Sequence, residues 1–249
     1  MSDGVQVLRA LHRGRPQGDP LILPGPWDAA SARALAEAGF EALATPSAGV
    51  AAALGYADGE TPADEMFAAV ARITRAVDVP VTADIEDGYG LAPRELVERL
   101  LAAGAVGCNI EDSIGGSLKD PREHAEYLAA FCAAAGGRIF LNARVDVFVH
   151  GDGDPGRAVE QAVEQAVERA ASYIAAGAEC VYPIMAPVAV LPLLRSGIEG
   201  PLNALAPLTP DGPSPAALGE LGATRITFGP QLQRRAAAAA AELAAGLRQ

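Results

Sequence analysis

After a polar start, hydrophobic and polar positions settle into one alternation repeated eight times: a short apolar run, then a longer Ala-rich amphipathic segment. The strand-like runs are Leu21–Pro24, Ala42–Pro46, Val81–Glu86, Gly107–Glu111, Ile139–Arg144, Cys180–Ile184, Leu202–Leu205 and Arg225–Gly229. Helix-like segments follow each: Ala29–Ala38, Ala63–Val77, Pro93–Ala103, Pro121–Ala135, Arg157–Ala176, Pro187–Arg195, Pro215–Leu221 and Leu232–Leu247. Strands alternating with helices at this spacing predict βαβ units and a parallel sheet. Eight units predict an α/β fold closed as a (β/α)8 TIM-type barrel. One domain then spans residues 1–249, with a C-terminal helical segment from about 230 to 249.

Local chemistry supports the helices. Val159, Val163 and Val167 recur four residues apart, and Gly39, Gly104 and Gly177 each stand where a helix should stop before the next strand. Asp28 sits where an N-cap belongs, and Ala236–Ala241 reads as part of a terminal helix because Ala is the best helix former. The long irregular stretches fall after strands, at Ser47–Pro62, Asp112–Asp120 and Phe148–Gly156. Loops after strand C-termini build the active face of such folds.

Carboxylates crowd the same face. Asp84 and Glu86 share one side of the third strand by alternation, and Asn109 and Glu111 share one side of the fourth. Like charges at one depth repel unless a cation joins them, and hard oxygen ligands suit Mg2+, with Mn2+ an alternative. Asp58, in Gly55-Tyr56-Ala57-Asp58-Gly59, is either a turn residue or a metal partner reached through water. Arg144 at the end of the fifth strand has Asn142 and Asp146 on its face; it either holds a substrate carboxylate or phosphonate with paired hydrogen bonds or pairs internally with Asp146 or Glu111. Ser47, Ala48 and Gly49 are small enough to bring backbone N–H groups close to an anionic oxygen, or to form a plain turn. Asp87 reads as a turn former, and the Gly115-Gly116 segment as a mobile loop.

With 19 basic against 31 acidic residues and a net charge of -12, neither nucleic acid nor an anionic membrane is expected as a partner. A small anionic substrate needs a local cation instead. Cys108, Cys132 and Cys180 form no metal or disulfide framework, and no leader or membrane-spanning run is visible, so a cytoplasmic location is expected.

Taken in order, Trp27-Asp28-Ala29-Ala30-Ser31-Ala32, Ser47-Ala48-Gly49-Val50, Leu54-Gly55-Tyr56-Ala57-Asp58, Pro80 to Gly90, Gly104 to Asp112 and Asn142-Ala143-Arg144-Val145-Asp146 resemble the isocitrate lyase and phosphoenolpyruvate mutase superfamily. The resemblance implies a (β/α)8 barrel whose last helix is exchanged in a homodimer or homotetramer. It implies Mg2+ held directly or through water by Asp58, Asp84, Glu86 and Glu111, with catalytic roles for Glu111 and Arg144. A 2-oxo acid would meet backbone N–H groups of Ser47 and Ala48, while Arg144 holds its distal anion. The implied activity is C–C bond cleavage of a small 2-hydroxy or 2-oxo di- or tricarboxylate to a pyruvate-type product. Rival readings are P–C chemistry as a phosphoenolpyruvate mutase or phosphonopyruvate hydrolase, oxaloacetate decarboxylation, and a catalytically inactive carboxylate-binding barrel. The lyases' Lys-x-Cys-Gly-His loop is replaced by Ser113-Ile114-Gly115-Gly116-Ser117-Leu118-Lys119, which leaves Ser113, Lys119, Tyr56 and His150 as candidate proton donors.

Overall fold

A computed structural model describes residues 2–150 and 155–247, and side chains over 4–150 and 159–247. The strands are β1 (Leu21–Ile22), β2 (Leu43–Thr45), β3 (Val81–Asp84), β4 (Gly107–Glu111), β5 (Ser113–Ile114), β6 (Ser117–Leu118), β7 (Phe140–Val145), β8 (Cys180–Pro183), β9 (Asn203–Leu205) and β10 (Arg225–Thr227). The helices are α1 (Ser2–His12), α2 (Ala29–Glu37), α3 (Ser47–Leu54), α4 (Ala63–Thr74), α5 (Pro93–Ala102), α6 (Pro121–Ala135), α7 (Pro155–Ala175), α8 (Leu191–Gly197, after a 3-10 turn), α9 (Pro215–Glu220) and α10 (Gln231–Gly246).

Parallel pairing runs β2-β3-β4-β7-β8 and β1-β10-β9. The two arcs join at a parallel bridge between Val181 and Leu202, and at the Ala44 N–H donating to the Pro24 carbonyl at 3.2 Å. Eight parallel strands thus close the expected (β/α)8 barrel. Outward residues such as Val81, Ala83, Ile85, Cys108, Ile110, Leu141 and Ala143 pack against helix residues including Met66, Val70, Leu96, Leu100, Leu128 and Phe131. Each fully buried side chain of this kind stabilises the fold by roughly 1.5–3 kcal/mol.

Three elements differ from the sequence reading. The polar start is α1, whose Val5 and Leu8 cover the N-terminal mouth against Leu21, Leu23, Ala42, Ala44, Phe140 and Cys180. A Cβ on Gly107 would lie 3.0 Å from the Leu8 side chain, so glycine gives the plug its close approach. The supposedly irregular stretch from Ser47 begins with α3, and the Gly115-Gly116 loop is the turn of an antiparallel β5–β6 hairpin. Both glycines have positive φ, as a tight two-residue hairpin turn requires. Part of the expected Phe148–Gly156 loop, residues 151–154, lies outside the described residues.

The helix ends match their sequence signals. Asp28 accepts from the Ser31 N–H at 2.7 Å in a reciprocal cap, and Gly39, Gly104 and Gly177 adopt positive φ after their helices. Cys108 and Cys180 are buried and unbridged. Among the described residues no helix is long and apolar enough to cross a membrane. Helix α10 buries none of its residues.

Candidate active site

The C-terminal ends of the strands open into a cavity of about 320 Å³. Its lining includes Ser47, Ala48, Asp58, Asp84, Glu86, Asn109, Glu111 and Arg144, which were singled out from the sequence or flank those that were. The register carries this convergence: Asp84 pairs with Asn109, and Glu111 with Arg144.

Glu86 reaches the cavity by another route than strand alternation. β3 ends at Asp84, and Glu86 adopts φ 51, a left-handed conformation that is strained for any residue but glycine. Tyr89, Gly88 and Gly90 also have positive φ, so the Asp87-Gly88-Tyr89-Gly90 turn folds the chain back beneath Glu86. Asp87 accepts from the Tyr89 N–H at 2.9 Å, the expected turn role, and also pairs with Lys119 at 3.6 Å.

Two candidates do not line the cavity. Asn142 is fully buried and donates to Asn109 Oδ1 at 2.8 Å, supporting the floor from below. Gly49 lies inside α3, where an added Cβ would meet Pro46 at 2.8 Å. The Ser47 N–H and hydroxyl donate to Asp84 Oδ2 at 3.3 and 2.9 Å, so they hold a carboxylate of the chain itself. Ala48, in the first turn of α3, lines the cavity and carries one of the helix-terminal N–H groups that have no acceptor within the helix.

Arg144 enters both internal ion pairs that the sequence allowed. Its Nη1 donates to Glu111, and its Nε and Nη2 donate to Asp146 at 2.6 and 3.3 Å. A guanidinium has five N–H donors, so one remains on each terminal nitrogen. Asp146 in turn accepts from the Ser113 hydroxyl, tying the hairpin to the arginine. Behind it, fully buried Asp112 accepts from the Asp146 N–H at 2.7 Å, Tyr173 at 2.8 Å and Arg169 at 2.9 Å.

The electrostatics are those of a site short of positive charge. Burial, then the neighbouring Asp84, Asp58 and Asp87, pushes the Glu86 carboxyl up to about 7. Burial and Asp84 raise Glu111 in spite of Arg144, and burial raises Asp84. Asp84 Oδ1 and Glu86 Oε1 are buried without a hydrogen-bond partner. Buried carboxylate oxygens in that state are either protonated or held by a cation. Among the described residues no three of His, Cys, Asp and Glu are placed to enclose an ion by themselves, and Glu111 is engaged by Arg144. The donors fit Mg2+ in its usual form, one or two carboxylates with water and ligand oxygens completing the octahedron.

Of the four candidate proton donors, Ser113 and His150 line an adjoining cavity of about 310 Å³ that shares Gly59, Glu86, Glu111 and Arg144 with the first. Tyr56 donates to Glu65, Lys119 to the Asp87 and Glu111 carbonyls and the Ser113 hydroxyl to Asp146, so these three are committed and His150 is the candidate left. Sequence reasoning passed over Tyr182, Ile184, Thr227 and Pro230, which complete the main cavity. Their positions at the ends of the sixth and eighth strands were the available signal. It also passed over Arg225, fully buried two residues below Thr227 with its three side-chain nitrogens unpartnered.

A (β/α)8 barrel that delivers crowded carboxylates and an arginine from several strand ends into one cavity is an enzyme scaffold for small anions. A family model described as phosphoenolpyruvate phosphomutase matches residues 8–248, and the chain belongs to that family, within the isocitrate lyase and phosphoenolpyruvate mutase superfamily of lyases and mutases. An uncharacterised protein of Mycobacterium tuberculosis (strain CDC 1551) is 33% identical over 222 residues, 88% of this chain and 81% of that one. A solved structure from Burkholderia cenocepacia J2315, described as a phosphonomutase, is 38% identical with TM-score 0.89 and covers 99% of this chain and 100% of that one. The structure of 2,3-dimethylmalate lyase is 27% identical with TM-score 0.82, covering 98% and 87%.

Proposed function

We propose that the protein is a Mg2+-dependent lyase that breaks a C–C bond in a small 2-hydroxy or 2-oxo carboxylate and releases a pyruvate-type product. The observation that carries this reading is the pair of buried, unpartnered oxygens on Asp84 and Glu86 at the floor of the cavity. Those two residues would hold the ion, with Asp58 at the exposed rim reached through water. When bound, the ion would supply Lewis-acid stabilisation for negative charge on the substrate's 2-oxygen, an alkoxide in a 2-hydroxy acid and an enolate in a 2-oxo acid.

The chain's own residues supply the rest. Ser47 fixes Asp84 through two hydrogen bonds, and Ala48 offers an N–H to a substrate oxygen. Arg144, held in orientation by Asp146 and Glu111, takes the distal carboxylate on its two remaining N–H groups. In a 2-hydroxy acid the hydroxyl proton passes to a cavity carboxylate, the adjacent C–C bond breaks to leave the 2-oxo acid and a carbanion delocalised onto the distal carboxylate that Arg144 holds, and a proton returns to that carbon. We place the proton's return on the side of the adjoining cavity, where His150 lies. P–C bond chemistry is the second reading, favoured by the phosphomutase description of the family and the phosphonomutase relative.

The test is pyruvate release from methylisocitrate, 2,3-dimethylmalate, oxaloacetate and phosphonopyruvate, with and without EDTA. We expect turnover of a C–C substrate that EDTA abolishes and that Arg144→Gln lowers by at least about 100-fold, the scale of losing one transition-state electrostatic contact. Full activity in EDTA would end the proposal. Release from phosphonopyruvate alone would favour the second reading.

A further inference from the structure

Arg144 owes its orientation to a residue beyond the end of its own strand. The β4–β7 ladder stops at Glu111 and Arg144, and β7 itself stops at Val145. Asp146, whose carboxylate takes the Arg144 Nε and Nη2 donors, comes next. Past the ladder a side chain continues the pairing: Asp112, one residue beyond β4, accepts the Asp146 N–H on its Oδ1 at 2.7 Å. The Asp146 carbonyl in turn accepts from the Val149 and His150 N–H groups at 2.9 and 3.2 Å, so the turn that presents His150 hangs from the same residue.

Asp112 is itself fixed from outside the barrel. It is fully buried, where a carboxylate persists as a charge only if it is paired. Its Oδ2 accepts the Tyr173 hydroxyl at 2.8 Å and Arg169 Nη1 at 2.9 Å, both from α7. Arg169 Nη1 also donates to the Tyr173 hydroxyl at 3.0 Å, and the buried Tyr173 ring stands edge-on to His124 with centroids 5.0 Å apart, so the two donors hold each other in place. The other arm of the guanidinium donates to the Lys119 carbonyl at 3.0 Å, while the Lys119 N–H donates to the Asp112 carbonyl at 2.8 Å. Main chain and side chain of Asp112 are thereby both held.

Fastening α7 to the barrel does not require this arrangement. Ala166 and Ala170 lie in the core, with Val159, Val163 and Val167 packed against it. A buried ion pair adds little net stability over apolar residues of the same size, so what this one supplies is direction. Two donors on one carboxylate oxygen leave the other aimed at a single N–H.

We propose that Arg169 and Tyr173 are positioning residues, which act from the outer helix through Asp112 and Asp146 to set the direction in which Arg144 presents its two uncommitted N–H groups. The inference rests on the reading of Arg144 as the holder of a substrate's distal carboxylate. Loosening Asp112 shifts the Asp146 turn and spoils the paired contact at Arg144, while the Asp84 and Glu86 end of the cavity keeps its geometry.

The experiment is isothermal titration calorimetry of the full-length protein in Mg2+ with two probes. Oxalate fills the Asp84 and Glu86 end, and malate adds a distal carboxylate for Arg144. Arg169→Met should weaken malate by about 10-fold and Tyr173→Phe by about 3-fold, with oxalate unchanged within about twofold in both. Arg169→Lys, which keeps the charge but not the fork that spans Asp112 and the Lys119 carbonyl, should fall between the unaltered protein and Arg169→Met. Thermal melts establish folding, and Tyr173→Phe, which keeps the buried ring, decides the matter if Arg169→Met does not fold. Parallel loss of both probes, or malate affinity unchanged in the folded variants, would overturn the positioning role. Arg144→Gln separates this inference from the reading beneath it: it should weaken malate and spare oxalate. If it does not, or if the unaltered protein binds no malate, the distal-carboxylate reading fails and the inference falls with it.

Discussion

Glu86 shows how a single backbone torsion decides the character of the site. Its φ of 51 turns the carboxylate into a crowd of acids, where its proton is held up to about 7 against an ordinary 4.5. The folded chain therefore binds this proton more readily than the unfolded chain. Stability from the group is whole below about 4.5 and is lost as pH rises through 7. A divalent ion relieves that loss, so the gain in melting temperature on adding Mg2+ should be larger at pH 8 than at pH 6. Glu86→Gln should abolish that difference; a gain independent of pH would contradict the role assigned to Glu86. Asp112 carries a different burden, since it is fully buried and satisfies Arg169, Tyr173 and the Asp146 N–H together. Asp112→Ala should destabilise the protein by roughly 3–5 kcal/mol in urea unfolding, because it strands a buried guanidinium. A change below about 1 kcal/mol would show that water replaces the carboxylate.

Elements that belong to the repeated strand–helix order were legible in the sequence, and those outside it were not. All eight barrel strands and the helices that follow them lie where alternation and helical spacing placed them, within a few residues. α3 was hidden because Ser47-Ala48-Gly49-Val50-Ala51-Ala52-Ala53-Leu54 has no polar face to set against an apolar one. α1 has helical spacing at Val5, Leu8 and Leu11 but was passed over because no strand precedes it in the repeated strand–helix order, and its apolar face finds partners only inside the barrel mouth. The convergence of Asp84 and Glu111 on one cavity was readable from strand parity, and so was a pairing of Arg144 with Asp146 or Glu111; that Arg144 pairs with both depends on how β4 and β7 register. α1 also carries a test of its own. His12 stacks on Phe140 at 4.3 Å, its Nδ1–H donates to the Leu8 carbonyl at 2.7 Å, and burial followed by Arg225 lowers its pKa to about 3 from 6.5. Between those values the unfolded chain holds the extra proton, so this contribution is complete above pH 6.5 and declines as pH falls toward 3. The slope is about 1.4 kcal/mol per pH unit. His12→Gln should flatten the fall in urea-unfolding stability from pH 6.5 to 5; an unchanged slope would assign the acid sensitivity elsewhere.

At the scale of the whole molecule, the barrel is complete in one chain while its last helix is not. α10 buries none of its residues, and Leu243 is 76% exposed, although Gln231 and Arg235 tie its start to the Ala206, Phe228 and Leu208 carbonyls. We propose that a second copy covers this helix, making a homodimer or homotetramer. Light scattering should then give an oligomer for the full chain and a monomer after truncation at Pro230; a monomeric full chain would refute the assembly. The central claim concerns the two carboxylates at the cavity floor, and Mn2+ binding followed by electron paramagnetic resonance tests it most directly. The account predicts one Mn2+ per chain, bound more tightly when oxalate is present and lost in Asp84→Asn and in Glu86→Gln. Absence of Mn2+ binding, or binding that survives both substitutions, would contradict it.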